Sequence, residues 1–247
     1  EYMAALLTSV LDNSDKVSGY IGECRECGIA LLPPDINRSA DRFTVEEGGI
    51  RFGLVAIKNI GRGFIQAVMR ERETGGDFTS LYDFCSRMNG SEMNKRAVEN
   101  LIRSGAFDAM GAKRSQLIKV YESVMDSVAA QQRENVEGQM DFFSMAADND
   151  GKQNSVREIP LPDMPEYTPE ELMTMEKATT GLYLSGHPMD HYRDAVRKLH
   201  APTIVSIIED FSRENGPERF TDGQRITIAG VITSSKTKTT KNNSLMA

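Results

Sequence analysis

Two pairs of residues in the sequence are spaced so that they could bind a metal ion. Cys24 and Cys27 are three positions apart, and His187 and His191 are four positions apart. A zinc site needs about four ligands, and no second cysteine pair accompanies the first. Pro188 favours a turn at the histidines. We therefore predict structural packing and no metal site, and a metalloenzyme using Cys24, Cys27 and His187 is the least favoured alternative.

A short turn rich in glycine is the first candidate binding site. The hydrophobic pattern turns helical at Leu54, breaks, and resumes at Phe64. The turn resembles a helix-hairpin-helix turn, in which backbone N–H groups and a positive helix N-terminus bind a DNA phosphate. Asn59 replaces the usual first glycine and tolerates left-handed geometry. The alternative is an ordinary turn between helices. The predicted DNA-binding residues are Lys58, Asn59, Ile60, Gly61, Arg62 and Gly63.

The charge around this turn favours DNA over the alternative. Between Arg51 and Val120 there are twelve basic and seven acidic residues, which gives a local net charge of +5. The whole chain carries −7, so the rest is strongly acidic. Clustered Lys and Arg provide the electrostatic attraction to phosphates. The sequence therefore predicts non-specific DNA binding by this stretch.

Two adjacent phenylalanines form the second candidate site. They lie in a polar stretch without apolar periodicity, where each exposed ring forgoes roughly 1.5–3 kcal/mol of burial. A partner's pocket could cover them, or they could fold back onto helices of this chain. The motif resembles the sliding-clamp-binding peptide of bacterial polymerases, with a glutamine followed by hydrophobic residues. The predicted clamp-binding residues are Gln139, Met140, Asp141, Phe142 and Phe143.

The elements that position these sites are mainly helical. We predict a small α/β part at 1–50, a helical DNA-binding and clamp-binding domain at 51–134, and a flexible linker at 135–167. A helical connector at 168–205 and the start of an OB-type barrel at 206–247 follow. The fold class is a helical array with tandem helix-hairpin-helix motifs.

Local signals refine these boundaries. A helix should end at Gly28, and a small β-hairpin should occupy residues 42–54. Thr168 should cap a helix through a capping box, and that helix should end near Gly181. Alternating apolar residues predict a strand at 225–232.

Composition suits a cytoplasmic protein. The apolar runs are too short to span a bilayer, and no secretory leader opens the chain. The three cysteines are expected to be reduced. The absence of an initiator methionine and the abrupt ends suggest a piece of something larger.

Ordered blocks of residues carry a resemblance to one family. The blocks are residues 3–9, 20–25, 32–37, 53–61, 101–108, 139–143 and 180–188. Through them the chain resembles the alpha subunit of bacterial DNA polymerase III, a C-family replicative polymerase. The resemblance covers almost the whole chain.

The resemblance implies a DNA-directed DNA polymerase, a nucleotidyltransferase, as the parent protein. Its catalytic aspartates and Mg²⁺ would lie upstream of this chain, which would hold no catalytic residue and no cofactor. Residues 1–50 would be the C-terminal end of the fingers region. The segment would grip duplex DNA, tether the polymerase to the sliding clamp (the beta subunit), and bind single-stranded template through the OB part. Other replisome subunits would be partners, and the protein would not bind a membrane. The alternative is a helix-hairpin-helix module of a repair protein without clamp binding.

Overall fold

The computed structural model describes residues 1–11, 13–90, 93–136, 159–213, 216–232, 237–239 and 245–246. They form two compact units, Glu1–Ser185 and Gly186–Ala247. The stretch predicted as one helical connector is therefore divided between the two units. The predicted clamp-binding residues, Gln139 to Phe143, lie outside the described residues.

Two helices separated by a short break open the first unit. Helix α1 spans Tyr2–Ser9 and α2 spans Ser14–Glu26. The side chain of Asn13 accepts a hydrogen bond from the amide of Lys16 and caps α2. Beyond α2, Gly28 adopts a φ of +71°, the left-handed conformation expected after a helix end.

A three-stranded sheet follows α2. Its strands are β1 (Leu31–Leu32), β2 (Thr44–Glu46) and β3 (Gly49–Arg51). Strand β3 lies between the other two, parallel to β1 and antiparallel to β2. The predicted small hairpin is thereby confirmed.

A helical array makes up the middle of the first unit, also as predicted. Its α-helices are α3 (Arg62–Gly75), α4 (Leu81–Met88), α5 (Lys95–Arg103) and α6 (Arg114–Val136). Single 3₁₀ turns, Leu54–Ala56 and Asp108–Met110, precede α3 and α6. Ser80 and Asn94 cap α4 and α5 by accepting from backbone amides in the first turn. These polar side chains fix where the two helices begin.

Phe84 on α4 stands at the centre of the core. It is fully buried and meets the rings of Phe64, Phe78 and Phe107 edge to face. This is the geometry that the ring quadrupoles favour. The same buried cluster runs from α1 through the sheet to α6, so the predicted division at residue 50 lies inside one hydrophobic core.

Residues 159–168 form a strap along the start of α6. Three side chains bind its carbonyl oxygens: Gln116 Nε2 to Pro162 at 2.7 Å, Ser115 Oγ to Pro165 at 2.8 Å and Lys113 Nζ to Met164 at 2.9 Å. Prolines have no amide to donate, so the strap is held through its carbonyls. The prediction of a flexible linker as far as residue 167 was therefore wrong from residue 159 onward. The lack of apolar periodicity did not reveal these polar contacts.

Helix α7, Pro169–Thr180, completes the first unit. The predicted capping box is present: Thr168 Oγ1 accepts from the amide of Glu171, and the Glu171 carboxylate accepts from the amide of Thr168. The helix ends at Gly181, with a φ of +81°. Both ends of α7 thus follow the sequence signals.

The second unit contains short elements. Its helices are a 3₁₀ turn at Pro188–Tyr192, α8 (Arg193–Lys198) and α9 (Ile204–Phe211). Strands β4 (Lys238–Thr239) and β5 (Leu245–Met246) pair antiparallel.

The strand predicted at residues 225–232 is not observed, although all of its residues are described. Ile226, Ile228 and Ile232 are exposed. A strand exists through the ladder that it forms with a neighbour, and these residues have no paired neighbour in the described part of the chain. The start of an OB-type barrel and the tandem arrangement of hairpin motifs both stay predictions.

Candidate nucleic-acid interface

The glycine-containing turn connects the first 3₁₀ turn to α3. Ile57 is buried and anchors its start, whereas Lys58, Asn59 and Gly61 are exposed. Asn59 has a φ of +63°, so it adopts the left-handed conformation that the sequence led us to expect. The backbone therefore makes a tight hairpin between a buried anchor and the next helix.

Helix α3 begins without a capping side chain. Its N-cap is Gly61, which has extended backbone angles and no side chain to accept from the first amides. Five other helices, α2, α4, α5, α7 and α9, begin at a residue whose side chain does accept such a hydrogen bond. Arg62 and Gly63 at the first positions of α3 are exposed. The start of α3 thus presents amide donors and the positive end of the helix dipole to solvent.

Two other elements hold the turn in this conformation. Asn100 on α5 donates from Nδ2 to the carbonyl oxygen of Lys58 at 2.6 Å. The amide of Lys58 donates to the carbonyl oxygen of Thr179 on α7 at 2.9 Å. Asn100 is mostly buried, and its hydrogen bond to the exposed Lys58 is partly buried. Neither contact could be predicted from the sequence, because each joins residues that are 42 or more positions apart.

Lys58 makes a third contact with α7. Its ammonium donates to the carbonyl oxygen of Ala178 at 3.0 Å, beside the negative end of the helix dipole. The predicted role of Lys58 in phosphate binding stays untested, but this charge already has a partner within the chain.

Most of the basic residues near the turn also bind partners within the chain. Arg72 donates to two backbone carbonyls, and Arg87 bonds Glu71 while its guanidinium lies over the ring of Phe78. Within the described residues, four exposed members of this basic stretch have a charged side chain that makes no hydrogen bond or ion pair. These are Arg62, Arg70, Arg96 and Lys119. The local charge of +5 therefore overstates the charge that a ligand could meet.

A buried ion pair connects the helical array to α7. Arg114 bonds Asp108 at 2.6 Å and Glu176 at 3.1 Å, and the side chains of Arg114 and Glu176 are 7% and 1% exposed. Burial by itself would lower the pKa of Arg114, but Asp108 and Glu176 outweigh it and raise that pKa. Glu176 also accepts from the amides of Leu184 and Ser185. This cluster is structural, and it fixes α7 where its carbonyls meet the turn.

Glu166 in the strap caps α6. Its carboxylate accepts from the amides of Arg114 at 2.7 Å, Ser115 at 3.0 Å and Tyr167 at 2.8 Å. Partial burial would raise the pKa of Glu166, but the three amides outweigh it and lower that pKa. The strap thereby supplies the side-chain cap that the sequence around Arg114 lacks.

The cysteines and histidines do not form a cluster. Cys24 is buried, as predicted, but Cys27 is exposed because it lies beyond the end of α2. His187 Nδ1 accepts from the amide of Met189 and starts a 3₁₀ turn. No group of three or more potential metal ligands occurs among the described residues. Burial raises the pKa of the Cys85 thiol to about 12, consistent with a packing role.

Comparison with known proteins places this hairpin in a wider context. Residues 28–117 match a family model described as a helix-hairpin-helix motif, which spans the sheet and α3 to α5 as well as the turn. Three relatives are named "DNA polymerase III subunit alpha". They come from Saccharopolyspora erythraea (36% identity over 98% of this chain), Vibrio cholerae (34% over 98%) and Deinococcus radiodurans (36% over 100%).

The chain spans about a fifth of the length of these relatives, between 18% and 20%. The resemblance found from the ordered blocks of residues is confirmed. Among the described residues, none of the helices has the length and apolarity to cross a membrane.

Proposed function

Since this chain is similar along almost its whole length to part of the DNA polymerase III alpha subunits, we propose that it is the DNA-gripping and clamp-tethering segment of such a polymerase. The whole protein would be a DNA-directed DNA polymerase that uses Mg²⁺ at a site outside this chain and acts with other replisome subunits in the cytoplasm. The segment itself would contribute binding rather than catalysis.

The uncapped start of α3 is the observation that carries the DNA-binding part. The amides after Gly61 and the guanidinium of Arg62 form a donor set for a phosphate oxygen. Phosphates are the same at every base pair, so the grip is independent of sequence. Asn100 and Thr179 hold the turn rigid before DNA arrives, so little conformational entropy is lost on binding.

An N-cap substitution tests this part without weakening the helix. Gly61→Asp places a carboxylate where the phosphate would bind, and Asp is a favoured N-cap. We expect unchanged or higher thermal stability and a loss of duplex binding of at least about tenfold, measured by fluorescence anisotropy with a duplex of arbitrary sequence. Gly61→Ser is the matched control, because it caps without charge and should bind with intermediate affinity. Wild-type affinity in Gly61→Asp would contradict DNA binding at this turn.

Clamp tethering rests on the segment from Gln139 to Phe143. The described chain is fixed to the first unit on both sides of it, by α6 and by the strap from residue 159. A clamp bound between these points would stay close to the hairpin, which raises the effective concentration of the polymerase at the primer end.

Titration against a purified bacterial sliding clamp tests the tether. We expect calorimetric binding by the full chain that disappears in the Phe142→Ala, Phe143→Ala double variant. A double variant that binds like wild type would contradict the assignment of these two rings. Salt-sensitive duplex binding without any clamp affinity would favour the alternative, a hairpin module of a repair protein.

A further inference from the structure

A cleft lined by both charged and apolar side chains adjoins the hairpin at the start of α3. It has a volume of about 350 Å³ and lies between α1, the turn before β2 and α3. Arg42 and Arg62 line it together with Asp41 and Gln66, and Leu11, Val55 and Ile65 give it an apolar wall. Arg62 thus belongs to the hairpin and to the cleft.

We infer that this cleft binds a second phosphodiester of the DNA strand held by the hairpin, with Arg42 as its principal donor. The inference rests on the proposed DNA-binding function and extends its surface to a residue outside the basic stretch of the sequence. A phosphate oxygen would accept from Arg42 and Arg62, and the apolar wall would contact the adjoining deoxyribose.

The backbone around Arg42 is held against the hairpin. The amides of Leu54 and Val55 donate to the carbonyl oxygens of Ala40 and Asp41 at 2.9 and 3.0 Å. A Cβ at Gly53 would lie 2.5 Å from the carbonyl carbon of Arg42, so only glycine permits this approach. The turn that carries Arg42 and the 3₁₀ turn that leads into the hairpin therefore move as one piece.

The charge of Arg42 is available to a ligand. Its side chain is 65% exposed, and its ion pair is with the neighbouring Asp41, at 3.4 Å. Such an exposed pair between adjacent residues is weak and readily exchanged for a phosphate contact. This separates Arg42 from Arg72 and Arg87, whose guanidiniums are bound by the fold. The negative charge of Asp41 repels an incoming phosphate, so its removal should strengthen binding.

The test measures anisotropy of a labelled duplex with the full chain over a series of KCl concentrations. Arg42→Ala should weaken binding roughly threefold to tenfold and reduce the slope of log affinity against log salt by about 1, the value for one phosphate. Arg38→Ala is the matched control, since Arg38 is an exposed arginine nearby that does not line the cleft.

The second arm predicts a gain that misfolding cannot produce. Asp41→Asn removes the opposing charge and should strengthen duplex binding by about threefold. Glu47→Gln removes the same charge from an exposed turn away from the cleft and should change affinity much less. Equal effects of Arg42→Ala and Arg38→Ala, or of Asp41→Asn and Glu47→Gln, would overturn the inference.

These outcomes separate the inference from the proposed function. If Gly61→Asp abolishes binding while Arg42→Ala matches its control, the hairpin binds DNA and the cleft does not. If the wild-type chain does not bind duplex at all, both proposals are overturned.

Discussion

The two compact units of this chain use apolar residues in opposite ways. In Glu1–Ser185, aromatic and aliphatic side chains from α1 to α6 form one buried cluster. In the described part of Gly186–Ala247, Ile204, Val205 and Ile208 of α9 are more than half exposed, and the buried residue is the polar Asp210. Asp210 accepts hydrogen bonds from the amides of Arg219 and Phe220.

This difference shows what an apolar pattern can and cannot predict. The alternation at residues 225–232 is as regular as the patterns in the first unit, yet it has no ladder and no core in the described chain. Periodicity predicts which face of an element is apolar. Whether that face is buried depends on what the rest of the chain places against it.

The largest expected effect concerns the buried ion pair of the first unit. Arg114→Ala leaves the carboxylate of Glu176 buried without its cation, so the free energy of unfolding should fall by about 3–5 kcal/mol. Chemical denaturation followed by far-UV circular dichroism measures it. Arg213→Ala, which removes a partly exposed partner of Asp210 in the second unit, should have a much smaller effect. Equal effects in both units would contradict the contrast drawn between them.

A second variant tests the hydrogen bond by which Asn100 positions the hairpin. In Asn100→Asp, an ionised carboxylate faces the carbonyl oxygen of Lys58, and duplex affinity at pH 8 should fall by about tenfold. At pH 5 a fraction of that carboxyl is protonated and can donate again, so the affinity relative to wild type should recover. A defect that does not change with pH would contradict this role of the Asn100 hydrogen bond.

A smaller effect is expected where the strap caps α6. Glu166→Gln should lower the free energy of unfolding by about 1 kcal/mol at pH 7. The pKa of Glu166 in the folded chain lies below its ordinary value of 4.5. Its contribution is therefore complete above pH 4.5 and is lost as the pH falls through the lowered folded value. The wild type and the variant should converge at acidic pH, and a constant difference down to pH 2 would contradict this cap.

The smallest effect is expected at the unpaired apolar residues of the second unit. Ile228→Ser should change the free energy of unfolding by no more than about 0.5 kcal/mol, because its side chain is already exposed. A loss of several kcal/mol would show that Ile228 is buried in solution.

Local chemistry allowed much of the first unit to be predicted from its sequence. Asn94 and Thr168 carry their own capping hydrogen bonds, so the beginnings of α5 and α7 follow from one or two side chains. Asn59 likewise favours the left-handed conformation that is observed in the turn. These features depend on neighbours within about four positions.

Contacts between distant residues could not be predicted in this way. The strap binds through proline-flanked carbonyls that carry no periodic signal, and Asn100 reaches the hairpin across 42 positions. The net charge of a stretch also does not show which basic side chains the fold uses internally, as Arg72 and Arg114 illustrate. Arg42 lies outside that stretch, so the charge pattern did not mark it as a candidate.

The attachment of α7 to the hairpin has a mechanical consequence for the proposed tether. A clamp held between α6 and residue 159 would pull on the strap, whose hydrogen bonds to Ser115 and Gln116 lie side by side and share the load. Beyond the strap, α7 carries the force to Thr179, which is bonded to Lys58 in the hairpin. Tension between the clamp and the DNA would therefore pass along a short, hydrogen-bonded path within one folded unit.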